Sequence, residues 1–303
     1  MAARTNATTT TASAATTAPR AAGNRAVRTA RTRARRTVIA HIILIAFVLI
    51  ALFPFYWMMA TSVKTLQEAI ASPPTFFPTQ LELRNYPAAL AAAPFGRYFV
   101  NTFFIAIMCV ICNVLSSVLA AYSFALTNFP GKNVLFALLL TTLMIPYDAI
   151  LIPNFITIRN LGLYNTFAAQ ILPFAAGTFG IFLLRQFFLG IPKEIFEAAV
   201  IDGAGPLRIL WQVAVPLARP AIVTVALFSF LGSWNAFSWP LIVTSSADVR
   251  PLQVGLRQFT AEAGTQFPLL MAATAITIIP IVVLYFFVQK QLIEGVAASG
   301  VKG

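Results

Sequence analysis

Apolar runs long enough to cross a bilayer dominate the chain, and they do not alternate. The first, "VIAHIILIAFVLIALFPFYWMMA", opens at Val38 and shows no period of two. A helix needs about 20 consecutive apolar residues to span the hydrocarbon core. Backbone polar groups in lipid must be paired within the span, as a helix does; a barrel needs short alternating segments instead. Six such runs occur, over 38–60, 98–125, 134–157, 167–188, 220–245 and 268–289. The pattern predicts an all-α membrane protein with about six transmembrane helices.

The connections differ in kind. "TSVKTLQEAIASPPTFFPTQLELRNYPAALAAAPFGRY", rich in Pro and Ala, reads as a folded external loop, and "NFPGKN" as a tight turn on its Pro-Gly pair. "IRNLGLYN" closes the next connection. The stretch "EAAVIDGAGPLRILWQVAVPLARP", Glu197 to Pro220, instead holds two acids, two arginines, a glycine-rich turn and three prolines. Just before it, Pro192 sits near a helix start. Ile195, Phe196, Ala199 and Val200 share one helix face, with Glu194 and Glu197 three apart on another. Asp202-Gly203 signals a turn, and Pro206 opens a second helix on which Leu207, Leu210, Trp211 and Ala214 recur. Pro216 and Pro220 close it. A helix–turn–helix this short and polar does not cross a membrane; it either caps the bundle or meets a partner.

Composition agrees: 59% of the 303 residues are hydrophobic and 10% charged. Soluble proteins carry roughly 25% charged residues, so a water-facing globule is excluded. The net charge of +12 does not indicate nucleic acid, because eight of the 21 basic residues lie in the first 36. That stretch has no acid and almost no large apolar residue, which predicts disorder. It reads as a cytoplasmic positive-inside flank, although an Arg-rich, acid-poor terminus also fits a transit peptide. With the N-terminus inside, fifteen basic residues face the cytoplasm and six the exterior. Both termini and the Glu197 loop are then cytoplasmic; without the tail the score is seven to six. The organisation expected is a disordered basic tail over 1–37, a six-span domain over 38–290 containing the loop 189–219, and a C-terminal tail over 291–303.

Candidate chemistry is sparse. Cys109 and Cys112 lie inside "FFIAIMCVICNVLSSVLAAY" without acid, base or turn, where buried thiols are inert packing groups. The single His41 lies in the first apolar run and reads as a paired or interfacial ring. No metal-ligand cluster and no nucleophile–base constellation can be read, so an enzyme is not expected. No GxxxxGK[ST] loop is present, which excludes ATP binding by that route. Asp148, in "LMIPYDAILIPNF", is the only carboxylate inside a predicted span. It marks either a solute path or a hydrated interfacial group paired with Arg159. "FLGSWNAFSWPLIV" offers Ser233, Trp234, Asn235 and Trp239, flat rings with hydrogen-bonding groups such as a sugar needs; packing and an aromatic belt are the alternative.

Glu197-Ala198-Ala199, Gly203 and Val213-x-Val215-Pro216 together resemble the EAA loop of ABC-importer permeases, which more often has Ile and Leu at the two valines. With the Phe230–Val243 segment and the closing "QKQLIEGVAASGVKG", the chain from the first span to Gly303 is similar to the carbohydrate-importer branch, close to the smaller permease subunit of maltose-type systems. The resemblance implies a type I ABC importer permease fold in the cell membrane of a prokaryote. It implies a coupling helix in which Glu197, Ala198, Ala199, Asp202, Gly203 and Pro216 meet an ATPase. Expected partners are a second homologous permease subunit, two ATPase subunits that bind ATP and Mg, an extracytoplasmic solute-binding protein and a sugar-like solute. This chain is expected to hold no cofactor and no nucleic acid. An importer for glycerol phosphate or a related polyol stays open, as does a secondary transporter, which needs coupling-ion carboxylates.

Overall fold

The computed structural model of the chain describes residues 20–261 and 264–300. Its helices are α1 (Arg20–Ser62), α2 (Leu66–Ala69), α3 (Asn85–Ala91), α4 (Phe95–Leu126), α5 (Lys132–Thr141), α6 (Tyr147–Asn160), α7 (Phe167–Ile171), α8 (Thr178–Leu189), α9 (Lys193–Ile201), α10 (Pro206–Ile209), α11 (Val215–Leu217), α12 (Arg219–Trp234), α13 (Ser238–Val243), α14 (Leu252–Leu256) and α15 (Phe267–Gly300). Two two-residue strands, Thr260–Ala261 and Gly264–Thr265, pair antiparallel ahead of α15.

The chain divides into two compact units, 1–57 and 58–303. In the first, every side chain from Arg36 to Tyr56 is exposed. A helix apolar on all sides suits lipid or another protein. His41 pairs within this helix, its Nδ1 lying 2.7 Å from the Thr37 carbonyl oxygen. The tail expected to be disordered over 1–37 is helical from Arg20. Ala and Arg are good helix formers, and a span already in place removes the cost of nucleation. Residues 1–19 of that tail lie outside the described residues. At the other end α15 runs on to Gly300, so the expected C-terminal tail continues a helix, with 301–303 outside the described residues.

Three expected spans are unbroken: Arg36–Ser62 within α1, Phe95–Leu126, and Phe267–Phe287 within α15. The other three are not single rods. The run 134–157 becomes α5, lengthened to Met144, and α6, bent from it by 102°. Pro146 keeps Ile145 extended (φ −81°, ψ 116°) and so stops the helix. The run 167–188 bends by 41° between Phe174 and Thr178, where Pro173 sits in a 3-10 turn. The run 220–245 stops at Trp234 and resumes as α13.

The second unit is organised on α4, flanked by α8 and α12. A Cβ at Gly180 would lie 2.5 Å from Ser117 Oγ and 3.0 Å from Val225 Cγ1, so only glycine admits this approach of the three helices. One core gathers Phe95, Tyr98, Phe230, Trp234, Phe259 and Ala272. A second joins Val118, Leu184, Phe188, Leu210, Ala214 and Val225. The loop between α1 and α4 is folded, as expected. Lys64, 2% exposed, donates to the Thr75 carbonyl. Asn85 Nδ2 donates to the carbonyls of Ser62 and Lys64 at 2.9 Å each. Glu68 Oε1 accepts from Thr79 N–H at 2.8 Å and Thr75 Oγ1 at 3.0 Å. Burial pushes the Glu68 carboxyl up, but those bonds and the Lys64 charge outweigh it and hold the group below its usual value.

Candidate functional site

The helix–turn–helix read from the sequence is present as α9, a turn, α10, a π turn over Leu210–Ala214, and α11. The turn has a specific hydrogen-bond pattern. Gly203 N–H donates to the Val200 carbonyl and Ala204 N–H to the Ala199 carbonyl, both at 2.9 Å. These are the two bonds of a Schellman motif, with Asp202 as C-cap and Gly203 in the left-handed position at φ 78°. Open space surrounds the place of a Gly203 Cβ. Backbone conformation, not crowding within the chain, therefore calls for glycine here.

One side of the loop is anchored. Leu210, Ala214 and Ala218 are at most 1% exposed and share a core with α4, α8 and α12. Tyr122 OH, on α4, donates to the Pro206 carbonyl at 3.0 Å. The other side is open. Glu197, Ala198, Asp202 and Pro216 are exposed and Ala199 is half-buried. Ile201 is 85% exposed and Leu207 69%. Acids beside exposed branched apolar side chains, on a segment rooted in a core, make a protruding surface suited to a protein partner.

A cavity of about 370 Å³ opens among α4, α7, α12 and α13, and Ser233 and Trp239 line it with Thr102, Asn113, Gln170 and Phe174. Among the described residues that line it, none is charged. Trp239 Nε1 donates to the Ala169 carbonyl at 2.9 Å, and its ring meets Phe174 edge-on with centroids 6.4 Å apart. Gln170 Nε2 donates to the Val249 carbonyl at 2.9 Å, while Gln170 Oε1 is buried without a partner.

The other pathway candidates lie elsewhere. Trp234 is fully buried. Its ring stacks on Phe230 at 5.4 Å and meets Phe99 and Phe103 edge-on at 5.8 and 6.1 Å. A path-facing role for Trp234 gives way to packing, because α12 turns it towards α4 and α15. Asn235, the exposed C-cap of α12, donates its Nδ2 to the Leu231 carbonyl at 3.0 Å. Its amide thus serves its own helix end. Asp148 is exposed in the first turn of α6 and Arg159 lies in the last turn. Eleven residues of helix put them ~16 Å apart, so the expected pairing does not form. Each is instead placed favourably on the helix dipole. Both cysteines are free, Cys109 buried and Cys112 half-buried.

Sequence reasoning passed over Gln170, Asn113 and Thr102. A signal existed for the first two, each an amide inside an apolar run. Nothing in the pattern separates Thr102, whose Oγ1 accepts from Leu252 N–H at 2.8 Å, from an ordinary helix threonine.

Residues 113–297 match the family model described as binding-protein-dependent transport system inner membrane component. The arabinooligosaccharides transport system permease protein AraQ of Halalkalibacterium halodurans is 35% identical over 84% of this chain and 92% of its own length. The sn-glycerol-3-phosphate transport system permease protein UgpE of Yersinia pestis is 32% identical over 86% of this chain and 96% of its own. For the diacetylchitobiose uptake system permease protein NgcG of Streptomyces coelicolor the figures are 32%, 86% and 87%. Among solved structures, a chain of a bacterial ABC transporter involved in import of the acidic polysaccharide alginate superposes with TM-score 0.76 at 26% identity, covering 86% of this chain and 98% of that one.

Proposed function

The chain belongs to the family of binding-protein-dependent transport system inner membrane components, and from that premise we propose that it forms half of the pore of an ATP-driven sugar importer. Its partners in this reading are a second, homologous permease, two ATPase subunits that hold ATP and Mg, and an extracytoplasmic solute-binding protein. The chain itself contributes no catalytic group. Both termini and the α9–α11 loop lie in the cytoplasm, and the six spans with that loop act as one transport domain.

One observation carries the reading: the α9–α11 loop is rooted in the core shared by α4, α8 and α12 while its other face stands exposed. Movement imposed on that face passes to the spans through Leu210, Ala214 and Ala218. Coupling falls to Glu197, Ala198, Ala199, Asp202, Gly203 and Pro216, with Glu197 pairing with a base of the ATPase. The carbohydrate assignment is supported by relatives named for arabinooligosaccharides and diacetylchitobiose. A relative named for sn-glycerol-3-phosphate keeps a polyol phosphate as the second reading.

The test is purification of the tagged chain from membranes in mild detergent, followed by mass spectrometry. Stoichiometric recovery of a nucleotide-binding subunit and a second permease is expected. A well-folded chain that brings down neither would overturn the importer.

A further inference from the structure

We propose that α4 is a rigid strut between the α9–α11 loop and the segment 244–256, and that Tyr122 and Asn101 are the positioning residues that fasten its two ends. This role rests on the importer reading, which puts the loop in the cytoplasm and the segment outside. It gives the route by which a partner seated on one face is felt at the other.

At the inner end two kinds of contact hold the loop. Leu210, Ala214 and Ala218 share a core with Val118, Ala121 and Ala125 of α4. Four of these six side chains are alanines, and apolar burial is non-directional, so sliding along α4 is weakly opposed. A hydrogen bond has a preferred distance and angle and resists it. Tyr122 OH, donating to the Pro206 carbonyl at 3.0 Å, is among the described residues the one hydrogen bond from another span to the loop. Its ring is itself set edge-on against Phe188 at 6.5 Å.

The outer end is tied more heavily. Asn101, 5% exposed, donates its Nδ2 to the Asp248 and Arg250 carbonyls at 2.9 and 3.0 Å. Leu252 N–H donates to Thr102 Oγ1, and Arg97 pairs with Asp248 at 2.6 Å. A Cβ at Gly255 would lie 2.5 Å from Tyr98 Cδ2, so α14 rests directly on α4. Between the two ends α4 runs for 32 residues with no proline, and no glycine beyond Gly96, to kink it. Asn101 and Tyr122 are thus held ~32 Å apart along one helix. Its neighbours are interrupted. The helix pair containing α8 is bent by 41°, and α12 leaves the loop at 81° and stops at Trp234. The unbroken α15 supplies none of the described residues of the inner core.

The experiment measures ATP hydrolysis by the whole importer in proteoliposomes, as the ratio of the rate with solute-loaded binding protein to the basal rate. Tyr122→Phe keeps the ring and removes only the hydroxyl. It should lower that ratio by up to about fivefold, the worth of one net hydrogen bond. Basal hydrolysis and ATPase retention should stay as in wild type, which a merely structural loss would not allow. Asn101→Ala should lower the ratio similarly. If that chain folds poorly, Arg97→Gln loosens the same end from an exposed position, with a fall of about twofold. Because the two ends act in series, Tyr122→Phe combined with either outer variant should be no worse than the more impaired single variant. A wild-type ratio in Tyr122→Phe, or losses that multiply in the double variant, would overturn the strut and leave the importer standing. A wild-type complex that the loaded binding protein does not stimulate sinks the importer reading, and the strut with it.

Discussion

The loop from Lys193 to Leu217 and the aromatic segment from Phe230 to Val243 treat their side chains in opposite ways. In the loop, Ile201 and Leu207 stand exposed beside Glu197 and Asp202. In the segment, Trp234 and Trp239 are both buried, Trp234 with an indole N–H that has no hydrogen-bond partner. The loop is a surface shaped for something outside the chain, held in place by one buried flank. The aromatic segment is a wall: Trp234 supports it from behind and Trp239 forms part of its inner face. Five residues along one stretch separate a structural ring from a cavity-lining one.

The sharpest way to break this comparison is Trp234→Ala. Removing a large buried ring costs about 3–5 kcal/mol, so the variant should lose most of its folded yield and thermal stability in detergent. Wild-type stability with altered uptake would return Trp234 to the solute path. Gly203→Val acts on the other side. A β-branched residue at φ 78° is strained by about 1–3 kcal/mol, and local strain in the α9 turn should lower ATPase retention while the bundle keeps its melting temperature. A drop in bundle stability would show that the turn is not mechanically separate.

Smaller effects sharpen the picture. Asn235→Ala removes one exposed side-chain bond to Leu231, worth about 1 kcal/mol or less, and should leave assembly and uptake near wild type. The Glu68 carboxyl is held below its usual value in the fold. Its contribution to the α1–α4 loop is therefore present above the ordinary carboxylate range and is lost as pH falls through the lowered value. Proteolysis of that loop should rise on acidification, and Glu68→Gln should flatten the dependence. An unchanged pH profile in that variant would show that other groups govern the loop.

Much of the fold was legible because span-length apolar runs leave few choices. The breaks were less so. Pro146 and Pro173 were visible, yet only packing decides whether a proline bends a helix or lies at its end. In the loop, the turn is written locally: Ala199, Asp202 and Gly203 set the Schellman pattern whatever surrounds them. In the aromatic segment the rotational phase of α12 is set by Gly180, Phe99 and Phe103, residues distant in sequence. Ser233 and Trp239 could therefore be placed at the cavity, and Trp234 and Asn235 turned away from it, only once the helices were packed. Gln170 was missed because one amide in an apolar run does not announce which neighbour leaves its oxygen unpaired.

The most direct measurement of the central claim is solute-stimulated ATP hydrolysis, with uptake, in proteoliposomes carrying the whole importer with Glu197→Lys. Reversing the exposed charge on α9 should release the ATPase, or leave it bound and hydrolysing without uptake, while the chain inserts and folds as wild type. A charge reversal at the paired base of the ATPase should restore transport. Wild-type coupling in Glu197→Lys would contradict the account and leave α9 a cap on the bundle.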